Sequence, residues 1–302
     1  MWLDIQIFGF RALWSPYFFT FLLLITLTYF LVTGPLRHKF GGEDKPTRNQ
    51  QLFFYSAILL TYLVKGSPVD LMSHIMMSFH MAQTAVLYFV VPIFIIRGLP
   101  IWMLEKFTNI PIVKLLMKFF TQPLIALILF NALFAMYHLP DVFDYTKSNL
   151  VAHSSITIVL FVLALTMWWP IVTPLDKYDV LNPLLKFVYL IGSILIISIA
   201  CALMIFSKES VYAAYGSDGA WLQAMSLCVP ADVLNGLADT LSGAEMFSPL
   251  SAAEDQQLGG IIMMFLQQIF YGFVLAWIFF GWFSAKNMEI DPMPDSLPQS
   301  DR

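Results

Sequence analysis

Seven mostly apolar stretches divide this chain, at residues 16–36, 51–64, 72–96, 122–139, 151–172, 184–206 and 258–283. About 20 consecutive apolar residues carry a helix across the hydrocarbon core of a bilayer. Only the second stretch is clearly short. Backbone exposed to lipid must pair every N–H and C=O within itself, so each stretch is expected to be helical. The pattern predicts an all-α integral membrane protein, a seven-transmembrane-helix bundle. We read residues 1–285 as a single transmembrane domain. Residues 286–302, acidic and rich in Pro and Ser, read as a disordered cytoplasmic tail. Hydrophobic residues make up 59% of the chain and charged ones 12%, against about 25% charged in soluble domains. A soluble enzyme is thereby excluded. The run at 17–32 is too long for a signal-peptide core and lacks a basic flank, so it is read as the first span.

Lys and Arg assign the sides. The loops after spans one, three and five, with the tail and counting Lys186 at the near end of span six, hold 12 of these residues, and the other connections hold 4. Positive loops stay cytoplasmic, so the N-terminus is expected outside and the C-terminus inside. Residues 100–118 read as an amphipathic segment lying on the cytoplasmic surface. The one long outer loop, 207–257, reads equally well as a functional element or as a cap on the bundle. Pro92, late in the third span, is tolerable if a neighbouring helix satisfies the carbonyl it leaves free. Net charge is only −4, so no basic field invites nucleic acid. Cys201 and Cys228 are too few for a disulfide framework.

No Asp or Glu falls inside a span. Ion-coupled transporters and pumps usually need such carboxylates, so active transport is disfavoured. Nucleophile-elbow, zincin, P-loop and dinucleotide signatures are missing as well, and no enzymatic activity is expected. Histidine supplies the chemistry instead. His38 lies in the first cytoplasmic loop, while His74, His80, His138 and His153 fall in the outer parts of spans three, four and five. At about 100° per residue, His74, Met77 and His80 fan over roughly 120° of one helix face, with Met81 beside them. Met136 neighbours His138, and Met263 and Met264 sit in the outer third of the last span. Imidazole and thioether form a soft, uncharged ligand set suited to Cu(I), and they avoid burying an anion in lipid. Singly, such residues are commonly packing groups, with His hydrogen-bonded across helices and Met filling gaps. Four histidines in one leaflet favour a metal or haem site. Asp70, Asp141 and Asp144 read as a solvated rim, Cys228 as an inert buried thiol, and Trp168 and Trp169 as an interfacial anchor.

Four segments carry a family resemblance: FHMAQTAVLYFVVPIFIIRGLP at 79–100, MYHLPDVFDY at 136–145, HSSITIVLFVLALTMWWPIV at 153–172 and DQQLGGIIMM at 255–264. In these the chain resembles the multi-spanning cytochrome c oxidase assembly factor CtaG family of bacterial membrane proteins. His80, Met81 and Gln83 match its His-Met motif, and His138 its His-Leu-Pro. Trp168, Trp169 and Pro170 match its Trp-Trp-Pro, and Asp255, Gln256 and Gln257 its last motif. The family pattern commonly places a further His where this chain has Thr84 and Thr157.

The resemblance implies a copper-binding metallochaperone of the bacterial plasma membrane that serves maturation of cytochrome c oxidase. Its cargo would be copper, and its partners the oxidase subunits and the lipid bilayer, with self-association left open. The expected ligands are His80, His138 and His153, then His74, Met77 and Met81, with Gln83 and Asn131 as supporting groups. A haem-binding membrane cytochrome and a metal-free scaffold for oxidase assembly remain as alternatives.

Overall fold

The computed structural model describes residues 4–42, 44–216, 219–237 and 246–289. Among these every regular element is helical, as expected. A three-ten turn, Asp4–Phe8, leads into α1 (Gly9–Trp14), α2 (Pro16–Thr33) and α3 (Arg48–Lys65). Next come α4 (Pro68–Ile75), α5 (Met77–Ala85), a π-helical turn (Val86–Val90) and α6 (Val91–Gly98). Two short helices, α7 (Ile101–Asn109) and α8 (Pro111–Phe120), precede α9 (Pro123–Tyr137), α10 (Pro140–Ser148) and α11 (Leu150–Val172). The chain closes with α12 (Pro183–Phe206), α13 (Ala220–Met225), α14 (Ala231–Leu237) and α15 (Ala252–Glu289). The rest of the tail, 290–302, lies outside the described residues.

Five stretches are long and apolar enough to cross a membrane: Asp4–Thr33, Met77–Gly98, Leu150–Val172, Pro183–Phe206 and Ala252–Ser284. Two bent pairs, Arg48–Lys65 with Pro68–Ile75 and Pro111–Phe120 with Pro123–Tyr137, raise the number to seven if each is one span. The protein is thus an integral membrane protein. Large apolar side chains such as Phe19, Phe21, Leu195, Leu203 and Phe273 remain exposed around the bundle. A helix apolar on all sides is stable only where its surroundings are apolar too. The second pair bends by 79°, which turns α8 nearly perpendicular to α9.

Local chemistry sets the boundaries. Thr47 and Gln50 form a reciprocal capping box that starts α3. Proline occupies the first turn of α2, α4, α8, α9, α10 and α12, where its missing N–H costs nothing. Asn149 and Asn182 cap α11 and α12 through their side chains. At Gly98 a Cβ would come within 2.6 Å of the Phe54 nitrogen, so glycine is what lets α6 approach α3. Tyr29 spans this junction, its hydroxyl donating to the Gly98 carbonyl at 3.0 Å.

The stretch expected as the third span is not one continuous helix. Met76 is extended (φ −132°, ψ 136°) and separates α4 from α5, which corrects the uninterrupted span expected over 72–96. Asp255, 178 residues along the chain, holds the break. Its carboxylate accepts the Met77 N–H at 2.6 Å and the Ser78 hydroxyl at 2.5 Å. One turn later, a Cβ on Gly259 would meet the Met77 carbonyl oxygen at 3.1 Å, so α15 seats against the broken backbone.

Further along the same span, Pro92 lacks the N–H that would bond the Tyr88 carbonyl four residues back. The Trp168 indole donates to that carbonyl at 2.9 Å. Trp168 is fully buried and Trp169 is 6% exposed, so neither is the interfacial anchor expected from sequence. Deeper in the bundle, Ser193 links the Asn131 side chain and the Tyr271 hydroxyl.

Candidate functional site

Four histidines gather at one end of the bundle. His74 lies in the last turn of α4, His80 in the first turn of α5, His138 at the end of α9 and His153 in the first turn of α11. Because Met76 breaks the helix, His74, Met77 and His80 do not share one helix face as the 3.6-residue period suggested. The imidazoles form two pairs instead. His74 faces His153 with ring centroids 5.4 Å apart, and His80 faces His138 at 6.0 Å. The expected grouping of His80, His138 and His153 is not assembled. Among the described residues no three His, Cys, Asp or Glu side chains form a metal-holding group.

Hydrogen bonding fixes one tautomer. His138 Nδ1 lies 2.8 Å from the Phe134 carbonyl oxygen. A carbonyl only accepts, so Nδ1 carries the proton and Nε2 presents a lone pair. The same carbonyl also accepts the His138 backbone N–H at 3.3 Å, which closes the end of α9. Among the described residues His138 Nε2, His80 Nδ1 and His153 Nδ1 are buried without a hydrogen-bond partner. Buried polar atoms in native proteins are nearly always paired, so three orphans at one end of the bundle mark a place where something can bind. Thr84 Oγ1 stands 3.5 Å from His80 Nε2, and Thr157 bonds the His153 carbonyl. Met77 and Met81 are buried with His80 on α5. Met136, by contrast, is 47% exposed.

The site is enclosed rather than shallow. His74, His80 and His138 are each no more than 6% exposed. The segment after α12 closes over them. Tyr212 donates to the His138 carbonyl at 2.7 Å and Tyr215 to the Ser73 carbonyl at 2.8 Å. Asp144, read from sequence as a solvated rim residue, accepts the backbone N–H groups of Ala213 and Ala214 and anchors this cover. Trp221 packs with Leu71, Met72 and Ile75 on α4, alongside the N-terminal residues Ile5 and Phe8. The described part of the 207–257 loop therefore caps the bundle.

Sequence reasoning missed Lys147. This residue of α10 is 1% exposed, with Nζ 3.3 Å from the Ser73 carbonyl and 3.5 Å from His74 Nδ1. Burial, aided by Lys65, lowers its pKa from 10.5 to about 7 against the pull of Asp70. Its only sequence signal is its place in the short connection that also joins His138 to His153. Asp70 is no free rim residue either. It pairs with Lys65 at 2.6 Å and accepts from Gln83. Gln83 and Asn131 are committed to Asp70, Val64, Leu127 and Ser193, so neither acts as the expected support for the histidines. Both cysteines are free, and burial pushes the Cys228 thiol far above its ordinary pKa, away from thiolate.

The sequence model of one family, the cytochrome c oxidase caa3 assembly factor (Caa3_CtaG), matches residues 27–285. The chain belongs to this family. No curated protein and no solved structure matches it. The segments by which the chain resembles the assembly factors now have structural reasons. In the His-Leu-Pro segment, His138 ends α9 and Pro140 begins α10. In the Asp-Gln-Gln segment, Asp255 caps α5 while Gln256 ties Val211 to the Met204 carbonyl and Gln257 bonds the Ser207 carbonyl. The last motif thus fastens both the broken span and the start of the cover.

Proposed function

We propose that this assembly factor crosses the bacterial plasma membrane seven times, with its histidine end outward, and that it holds copper there for transfer to a cytochrome c oxidase subunit. The observation that carries this reading is the trio of unpartnered imidazole nitrogens on His80, His138 and His153. A metal held between two imidazole nitrogens at about 2 Å from each places the ring centroids about 6 Å apart. The His80–His138 pair has this spacing. Pairs of neutral donors suit Cu(I), which accepts few ligands and favours soft, uncharged ones such as Met77 and Met81 would add. His74 and His153 supply the neighbouring pair. Copper is cargo in this reading, and the protein needs no catalytic step. It holds the ion weakly enough for a partner's ligands to take over one at a time, once the cover at Tyr212 and Tyr215 opens.

Copper per protein, measured on purified wild type and variants loaded with Cu(I), tests the reading. His80→Ala and His138→Ala should each lose most of their copper, since a two-ligand site keeps little affinity with one. His153→Ala should remove a smaller share and His38→Ala none. Each variant must elute as the intact folded protein. Wild-type copper in a combined His80→Ala and His138→Ala variant would show that these histidines only pack.

A further inference from the structure

At the end of the bundle away from the histidines lies a cavity of about 710 Å³. Its volume falls within the usual range for small-molecule sites, about 300–1,000 Å³. Its walls come from the end of α6, from α7 and α8, and from α11, and they are almost wholly apolar. Along α11 it extends from Ile158 to Trp169, a rise of about 16 Å at 1.5 Å per residue. That depth is half of the roughly 30 Å hydrocarbon core. A partner helix spanning the bilayer would need a groove twice as long, whereas an acyl chain occupies one leaflet.

A second pocket adjoins it, sharing Thr121 and edged by Lys114, Lys118, Lys177, Asn109 and Tyr178. Lys177 is held by the neutral acceptors Thr108 and Asn109. Among the described residues none of the three lysines forms an ion pair with a carboxylate. The two pockets are also joined by rings, since Trp169 of the first packs against Tyr178 of the second at 5.7 Å. Among the described residues the buried Trp169 indole N–H has no acceptor, so it is available to a carbonyl oxygen of a bound lipid. We propose that the two pockets form one binding site for an anionic phospholipid of the leaflet opposite the histidines, with an acyl chain in the cavity and the phosphate among Lys114, Lys118 and Lys177.

Native mass spectrometry of the full chain, released from detergent after titration with defined lipids, tests this. Phosphatidylglycerol should bind as one retained copy at least tenfold more tightly than phosphatidylcholine with the same chains. Each lysine near a phosphate contributes about fivefold. A Lys114→Gln, Lys118→Gln, Lys177→Gln variant should therefore lose the preference by on the order of tenfold or more, while keeping its weak phosphatidylcholine binding. Leu163→Trp, which fills the cavity, should remove both lipids. Three results would overturn the proposal: equal retention of the two lipids by wild type, an unchanged preference in the triple-lysine variant, or displacement of phosphatidylglycerol by millimolar inorganic phosphate. The first and third need no variant to fold, and none of the three depends on copper.

Discussion

Asp255→Ala removes the carboxylate that caps the broken third span from another helix. Met76, the residue before α5, offers no side-chain cap of its own. Two short bonds disappear, from the Met77 N–H and the Ser78 hydroxyl, together with a longer one at 3.4 Å from the Ser78 N–H. Hydrogen bonds to a charged group contribute about 1.5–3 kcal/mol each, and a carboxylate at a helix N-terminus adds about 0.3–1 kcal/mol. Recovered hydration of the removed carboxylate and a turn of the Ser78 hydroxyl to a new acceptor offset part of this. We expect a net loss of about 3 kcal/mol, equivalent to a fall in Tm on the order of 5 °C for a chain of this length. Asp255→Asn keeps one acceptor for Met77 and should lose about half as much. Thermal unfolding of the purified protein in detergent, followed by near-ultraviolet circular dichroism, measures both. The capping argument fails if Asp255→Ala lies within about 1 kcal/mol of wild type.

Two more outcomes follow from the same geometry. Trp168→Phe frees the Tyr88 carbonyl beside Pro92 and should cost about 1–2 kcal/mol for the lost interhelical bond alone. Trp169→Phe loses an N–H that bonds nothing, so in the same unfolding assay it should cost at least 1 kcal/mol less; equal losses would mean that packing alone accounts for Trp168. Lys147 has a folded pKa of about 7, below its ordinary 10.5, so between those values the unfolded chain binds the extra proton and stability rises with pH. The penalty is fully present below pH 7 and fades toward 10.5. The advantage of Lys147→Met over wild type should therefore shrink by roughly 2–3 kcal/mol between pH 6.5 and 9, and a pH-independent difference would refute the buried, depressed lysine.

The helical, membrane-embedded architecture was legible because it follows from composition along the chain. The helix starts were legible too, since Thr47, Asn149, Asn182 and the first-turn prolines act on the few residues next to them. The gathering of four histidines at one end could also be read, because spans alternate in direction and each His sits near a span end. Their pairing could not. A periodic argument assumes an unbroken helix from His74 to His80, and nothing between those residues signals a break: Ile75, Met76 and Met77 are ordinary helix formers. The break is held by Asp255 and by the close seat at Gly259, both far away in the chain. The same separation hid the job of Trp168. Its apolar neighbours suggest an interface anchor, whereas its N–H answers the carbonyl that Pro92 leaves open on another helix. Lys147 was overlooked because a charge between two spans normally lies in water. Here the cover over the histidines removes that water, and the cover comes from a segment whose apolar residues fit a surface layer equally well. What local sequence left undetermined was thus set by long-range polar partners. A single carboxylate on α15 decides where the third span breaks, and with that which histidine faces which.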